Sequence, residues 1–329
     1  MLEDPGLDRR ELTAAMRAGY GIQAASFTFV PGYDMQAASY DVAATEGRFF
    51  LKVRFGSVAQ TPLDVPRALL DAGIPNVLAP IRTLASALRH PVDDGRSFVL
   101  YPFVAGRNAL EIGMTADQWR TFGTTLRAVH DSGLESRFAD RLPSETFALP
   151  SAAGVRHVMD QRPSASSPAA ERLRALLIVQ SGRIRAILER AEELGASLRD
   201  RPFGLVLVHA DIHAANVLVA DDGRIFLVDW DGPMLAPPER DLLFIIGSGI
   251  MRTVQVHEEA WFFEGYGEVP VDREAIVYYR YERIIEDIGE FARSVFGDPA
   301  IPESSRASQA ALVESFFRAG GMVDSVEPV

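Results

Sequence analysis

Asp211, Asn216 and Asp229 each follow or interrupt an apolar, β-rich run between residues 205 and 231. Leu205-Val206-Leu207-Val208 leads into a polar loop, HADIHAAN, over 209–216. Val217-Leu218-Val219 follows, and after a turn Ile225-Phe226-Leu227-Val228 ends on Asp229-Trp230-Asp231. A carboxylate at Asp211 can accept or orient the proton of a hydroxyl. An amide oxygen at Asn216 and a carboxylate at Asp229 suit Mg²⁺, a hard cation that keeps few protein ligands. Asp221-Asp222-Gly223 is a strong hairpin turn. It folds 217–220 onto 225–228 and brings Asp229 back beside Asn216. Taken singly, Asn216 fits a turn and Asp229 a strand-end cap. The joint spacing is the layout that phosphoryl transfer uses, because that reaction needs a positioned hydroxyl and cations on the phosphates rather than covalent help.

Lys52 is the only lysine among 33 basic residues. It sits in the β-like run Arg48-Phe49-Phe50-Leu51-Lys52-Val53-Arg54. A surface lysine is the plain reading. A site that needs a compact ammonium rather than a planar fork is the functional one, and beside the downstream loop a strand lysine is suited to hold α- and β-phosphates. His209 and His213 read as packed structural histidines. The six histidines lack an HExxH spacing for zinc.

Several longer stretches carry a family likeness: HADIHAANVL (209–218), DWDGPMLAPPERDLLFI (229–245), EGYGE (264–268), YYRYERIIEDI (278–288), FFLKV (49–53) and LLDAGI (69–74). They resemble the aminoglycoside phosphotransferases, relatives of choline kinases, and more narrowly the spectinomycin phosphotransferases. The resemblance implies an α+β, protein-kinase-like fold of two lobes. Residues 1–104 would form a nucleotide-binding lobe with a five-stranded antiparallel sheet, ending in the hinge Tyr101-Pro102-Phe103-Val104-Ala105-Gly106. Residues 105–329 would form a larger, mainly helical lobe.

The same resemblance implies ATP- and Mg²⁺-dependent O-phosphorylation of a small cationic antibiotic, with spectinomycin first. Another cationic alcohol (hygromycin B, another aminoglycoside, choline) is the alternative, and a nucleotide-binding regulator without turnover a more distant one. Asp211 would be the catalytic base. Lys52, Tyr101, Phe103, Asn216 and Asp229 would meet the nucleotide, Asn216 and Asp229 through the metal. Pro102 offers no N–H, so adenine would use the Tyr101 carbonyl and the Phe103 amide. Asp231, Glu264, Glu268, Glu282 and Glu286 would join Asp211 at the substrate, Asp241 would brace the catalytic loop, and Arg240 would pair with a carboxylate. Protein kinases pair the strand lysine with a helix glutamate. The candidate helix 64–72 has none; Gln60 and Asp64 are the nearest substitutes.

Composition sets bounds. A chain of 329 residues can bury a large core, and two lobes are more natural than one. The net charge of −12 argues against nucleic acid and suits a cationic ligand. The absence of cysteine removes disulfides and thiol chemistry. No apolar run approaches the ~20 residues of a membrane span. The acidic N-terminus lacks a signal-peptide core, so the expectation is a cytoplasmic protein, monomeric or weakly dimeric.

The positioning elements follow from local signals. Asp8, Glu11 and Gly21 bound a helix over 8–20. Strands are expected at 25–30, 36–43, 48–54, 77–82 and 97–101, with the turn Pro31-Gly32-Tyr33-Asp34 over the nucleotide. Asp64 would cap a helix over 64–72, and Thr115-Ala116-Asp117-Gln118 starts another that ends near Gly133. Residues 142–168 read as a loose connection and 169–199 as long helix. Helices near 239–247, 256–265, 272–293 and 304–318 complete the chain.

Overall fold

The computed structural model describes residues 4–31, 37–93, 95–161, 167–248, 250, 254–297 and 301–326. The expected turn at 31–34 lies, but for Pro31, outside them. The order is α1 (Arg9–Tyr20), β1 (Ala24–Val30), β2 (Ala37–Ala44), β3 (Gly47–Phe55), α2 (Thr61–Asp71), β4 (His90–Pro91), β5 (Arg96–Pro102), β6 (Gly106–Asn108), α3 (Ala109–Ile112), α4 (Ala116–His130) and α5 (Glu135–Phe138). Then come α6 (Ala152–Gln161), α7 (Pro168–Val179), α8 (Ser181–Arg199), β7 (Val206–Val208), β8 (Val217–Ala220), β9 (Ile225–Leu227), β10 (Met234–Ala236), α9 (Glu239–Leu242), α10 (Val256–Tyr266), α11 (Arg273–Gly297) and α12 (Glu303–Phe316). None of the described helices is long and apolar enough to cross a membrane.

The chain forms two compact units, Met1–Leu142 with Asp211–Pro233, and Pro143–Ala210 with Met234–Val329. The contacts therefore divide elsewhere than at the 104/105 hinge. Residues after the hinge stay with the first unit because β6 pairs with β8. That pairing needs Gly106: a Cβ there would lie 2.2 Å from the Val219 carbonyl oxygen.

The first unit is built on an antiparallel sheet in the order β1-β2-β3-β5-β4. Alternation along β3 sets its two faces. Leu51 and Val53 are fully buried and pack with Leu12 and Met16 of α1, Tyr40 and Val42 of β2, and Phe98 and Leu100 of β5. Each such side chain contributes about 1.5–3 kcal/mol by burial. Lys52 and Arg54 point to the other face, as do their β5 partners Val99 and Ser97. α1 is capped by the Asp8 side chain on Arg10 N–H and ends at Gly21 with φ 71°. Glu11, expected in a capping box, pairs with Arg96 instead.

The fifth strand is not 77–82. That stretch carries Pro80 and does not run as one strand: Leu78 N–H donates to Leu227 of β9, whereas Ile81 N–H donates to Leu100 of β5. The two-residue β4 takes the edge. α2 starts at Thr61, one turn earlier than expected, so Asp64 lies inside it rather than capping it. α4 has the expected capping box of Thr115 and Gln118.

The second unit is mainly helical. The stretch expected to be loose contains α6, whose Ala152 and Val155 are buried. The long helical stretch breaks at Gln180 into α7 and α8. α11 packs against α6, α7, α8, α9 and α12 and buries Tyr278, Tyr279, Ile284 and Ile285. β7 pairs with β10.

Candidate active site

The hairpin of β8 and β9 forms as the turn signal requires. Val217 faces Leu227 and Val219 faces Ile225. Gly223 takes φ 87° and donates to the Ala220 carbonyl, and Ala220 donates to Arg224. At the open end Val228 N–H donates to the Asn216 carbonyl at 3.0 Å, so Asp229 follows directly on a residue bonded to Asn216. The Asn216 amide nitrogen donates to the Asp211 carbonyl at 2.8 Å, which turns its oxygen away from that bond. One loop thus ties together the three residues of the expected catalytic set. Asp229 holds φ 62°. Left-handed backbone at a non-glycine residue costs on the order of 1 kcal/mol and gathers at functional sites.

β3 supplies the cations. Lys52 Nζ lies 3.7 Å from Asp231 Oδ2, and Arg54 lies 3.9 Å from the same oxygen. Asp64 turns to Arg141 and Gln60, while Asp231 is a carboxylate beside Lys52. The reason is placement: Asp64 sits inside α2, within reach of Arg141. Arg54 went unremarked in the sequence, although its i+2 spacing from Lys52 on a strand is the signal that would have found it. Burial pushes the Tyr101 phenol well above its ordinary range, and the charges of Asp231 and Asp229 push the same way.

The hinge differs from expectation by one residue. Phe103 N–H donates to the Arg48 carbonyl at 3.3 Å, extending the β3–β5 ladder. Antiparallel pairs alternate, so the Phe50–Tyr101 pair, two residues along, also bonds across that ladder. The Tyr101 carbonyl and Phe103 amide are therefore turned toward β3. The Pro102 carbonyl, between them, faces the outward edge. The Arg48 guanidinium lies 3.7 Å over the Phe103 ring.

In the second unit Asp241 is fully buried and accepts from His209 N–H at 2.9 Å and Ala210 N–H at 2.7 Å. It braces the two residues that precede Asp211, as expected. Arg240 pairs with Glu282 at 2.6 Å and Glu145 at 3.1 Å, all three largely buried. This corrects the reading of Glu282 as a substrate contact: its carboxylate is committed to Arg240. Arg280 is buried and donates to the carbonyls of Ser325, Val326 and Ile246. Glu264, Glu268 and Glu286 are exposed. These four glutamates belong to the second unit, whereas Asp211 and Asp231 belong to the first.

Among the described residues no group of three or more His, Asp or Glu could hold a metal ion. The Val228 N–H bond to the Asn216 carbonyl brings Asn216 and Asp229 close along the hairpin, and their side-chain oxygens would make a two-ligand set. That fits a cation completed by phosphate and water, as Mg²⁺ is in phosphoryl-transfer enzymes.

The fold and this site define a phosphotransferase. Residues 34–277 match the model of the phosphotransferase enzyme family (APH), and the chain belongs to that family. More narrowly, it is similar over 98% of both chains to the spectinomycin phosphotransferase APH(9)-Ia crystallised with ADP and spectinomycin, at 29% identity and a TM-score of 0.87. The AMP-bound complex of the same enzyme matches at 0.85, covering 97% of this chain and 98% of the other. The choline kinase LicA from Streptococcus pneumoniae shares the fold, with a TM-score of 0.53 and 14% identity over 92% of this chain and 96% of the other.

Proposed function

We propose that the protein transfers the γ-phosphoryl group of ATP to a hydroxyl of spectinomycin, giving resistance to that antibiotic. The observation that carries this reading is the near full-length similarity to an enzyme crystallised with ADP and spectinomycin, joined to the loop that links Asp211, Asn216 and Asp229. Asp211 orients the acceptor hydroxyl and takes its proton as the oxygen attacks phosphorus. Lys52 and Arg54 neutralise phosphate oxygens, in place of the contact with Asp231. Asn216 and Asp229 would hold Mg²⁺, which supplies charge neutralisation on the phosphates. The Pro102 carbonyl would meet adenine. Asp231 suits an ammonium group of the substrate, and Glu264, Glu268 and Glu286 are candidates by charge alone.

The test is ATP consumption by the purified protein with Mg²⁺ and spectinomycin, run beside hygromycin B, kanamycin and choline. Turnover confined to spectinomycin is expected. Turnover with another member of the panel would keep the reaction and replace the substrate; silence throughout would sink both.

A further inference from the structure

His213 has a second use besides packing. It caps the short turn Ala214–Asn216, with its ring Nδ1 accepting from Ala215 N–H at 3.2 Å. A ring nitrogen that accepts carries no proton, so the neutral imidazole bears its proton on Nε2. That Nε2 lies 3.6 Å from Asp211 Oδ1. The far end of the same turn returns the Asn216 amide to the Asp211 carbonyl. Cap and clamp hold both ends of 211–216 and aim one N–H at one carboxylate oxygen. At 3.6 Å the contact is electrostatic and longer than a hydrogen bond, and such contacts shorten when a catalytic site fills.

We propose that His213 is a positioning residue for the acceptor carboxylate. Its Nε2–H fixes the rotation of the Asp211 side chain through Oδ1, which leaves Oδ2 for the substrate hydroxyl. In the step so arranged, the hydroxyl oxygen bonds to the γ-phosphorus, its proton passes to Asp211, and the bond to ADP breaks. The inference rests on the reading of Asp211 given above.

Two amide substitutions separate cap from positioning. His213→Asn places an acceptor where Nδ1 stands and keeps the cap, but cannot reach Asp211. His213→Gln extends an amide N–H toward the place of Nε2. Melting temperature, Mg·ATP affinity, kcat and both KM values are measured for the parent and the two variants. We expect H213N to match the parent in melting temperature and nucleotide affinity while kcat falls about 10- to 100-fold, the scale of a misplaced catalytic group. H213Q should recover most of that loss. Parental kcat in H213N overturns the proposal, as does equal loss in both variants or a loss that tracks melting temperature. A parent that phosphorylates no acceptor overturns the reading of the reaction itself, and this inference with it.

Discussion

At the scale of single residues, the site separates roles that mutation can resolve. Asp211, the proposed base, is half-buried; in that role Asp211→Ala should lower kcat about 10²- to 10⁴-fold, the range of general-base catalysis. Isothermal titration with ATP should show nearly unchanged affinity; parental turnover would remove Asp211 from the reaction. Lys52 and Arg54 share a face and a partner oxygen, so each should act on nucleotide binding. Arg54→Ala should raise KM for ATP several-fold, with the KM for the antibiotic unmoved. Lys52→Arg should also impair the enzyme, because a planar fork does not replace a compact ammonium. A KM for ATP unchanged in R54A would confine Arg54 to its contact with Asp231. The closeness of Asn216 and Asp229 was legible in the sequence because one hairpin joins them and its turn is written in local residues. The partner of Lys52 was not, because a pairing between β3 and a residue after β9 is set by the fold and leaves no local signal.

At the scale of elements, hydrogen-bond accounting explains what holds the catalytic loop. Asp241 satisfies two backbone donors ahead of Asp211. Leaving a buried donor unsatisfied costs about 1–3 kcal/mol, so Asp241→Ala should lower the melting temperature by several degrees and reduce kcat more than it raises either KM. An unaltered melting curve would show that the loop finds other acceptors. Gly106 is a second constraint: Gly106→Val forces a side chain onto the Val219 carbonyl and should break the β6–β8 pairing, seen as loss of hydrogen-exchange protection confined to 106–108 and 217–220. Elements with caps or strong turns were legible: α1 at Asp8 and Gly21, α4 at Thr115, the hairpin at Gly223. β4 was not, because two residues ending in proline have no periodicity and become a strand only through Phe98 and Ser97. Which backbone groups of residues 101–103 face outward was not legible either, because it depends on ladder register, and that is fixed by pairing with β3.

At the scale of the whole molecule, charge is the governing property. Forty-five acidic residues stand against 33 basic ones. Exposed ion pairs such as Arg156–Glu192 contribute roughly 0–1 kcal/mol each, so stability depends more on buried groups. Among the buried groups Glu282 carries a pH signature near neutrality. Burial pushes its carboxyl up to about 7 from an ordinary 4.5, Glu145 adds to the rise, and Arg240 opposes it. The folded protein therefore binds this proton more tightly than the unfolded chain does. Its stabilising contribution is complete below the unfolded value and is lost as pH rises through the folded one. The window lies between 4.5 and about 7. Glu282→Gln stays neutral throughout, so its melting temperature should lack the decline that the parent shows across that window. Melting curves of the two proteins, taken in steps across the window in one buffer mixture, should converge at its acid end and diverge at its upper end, with the parent lower. Parallel curves would place the proton on another member of the Glu145–Arg240–Glu282 cluster.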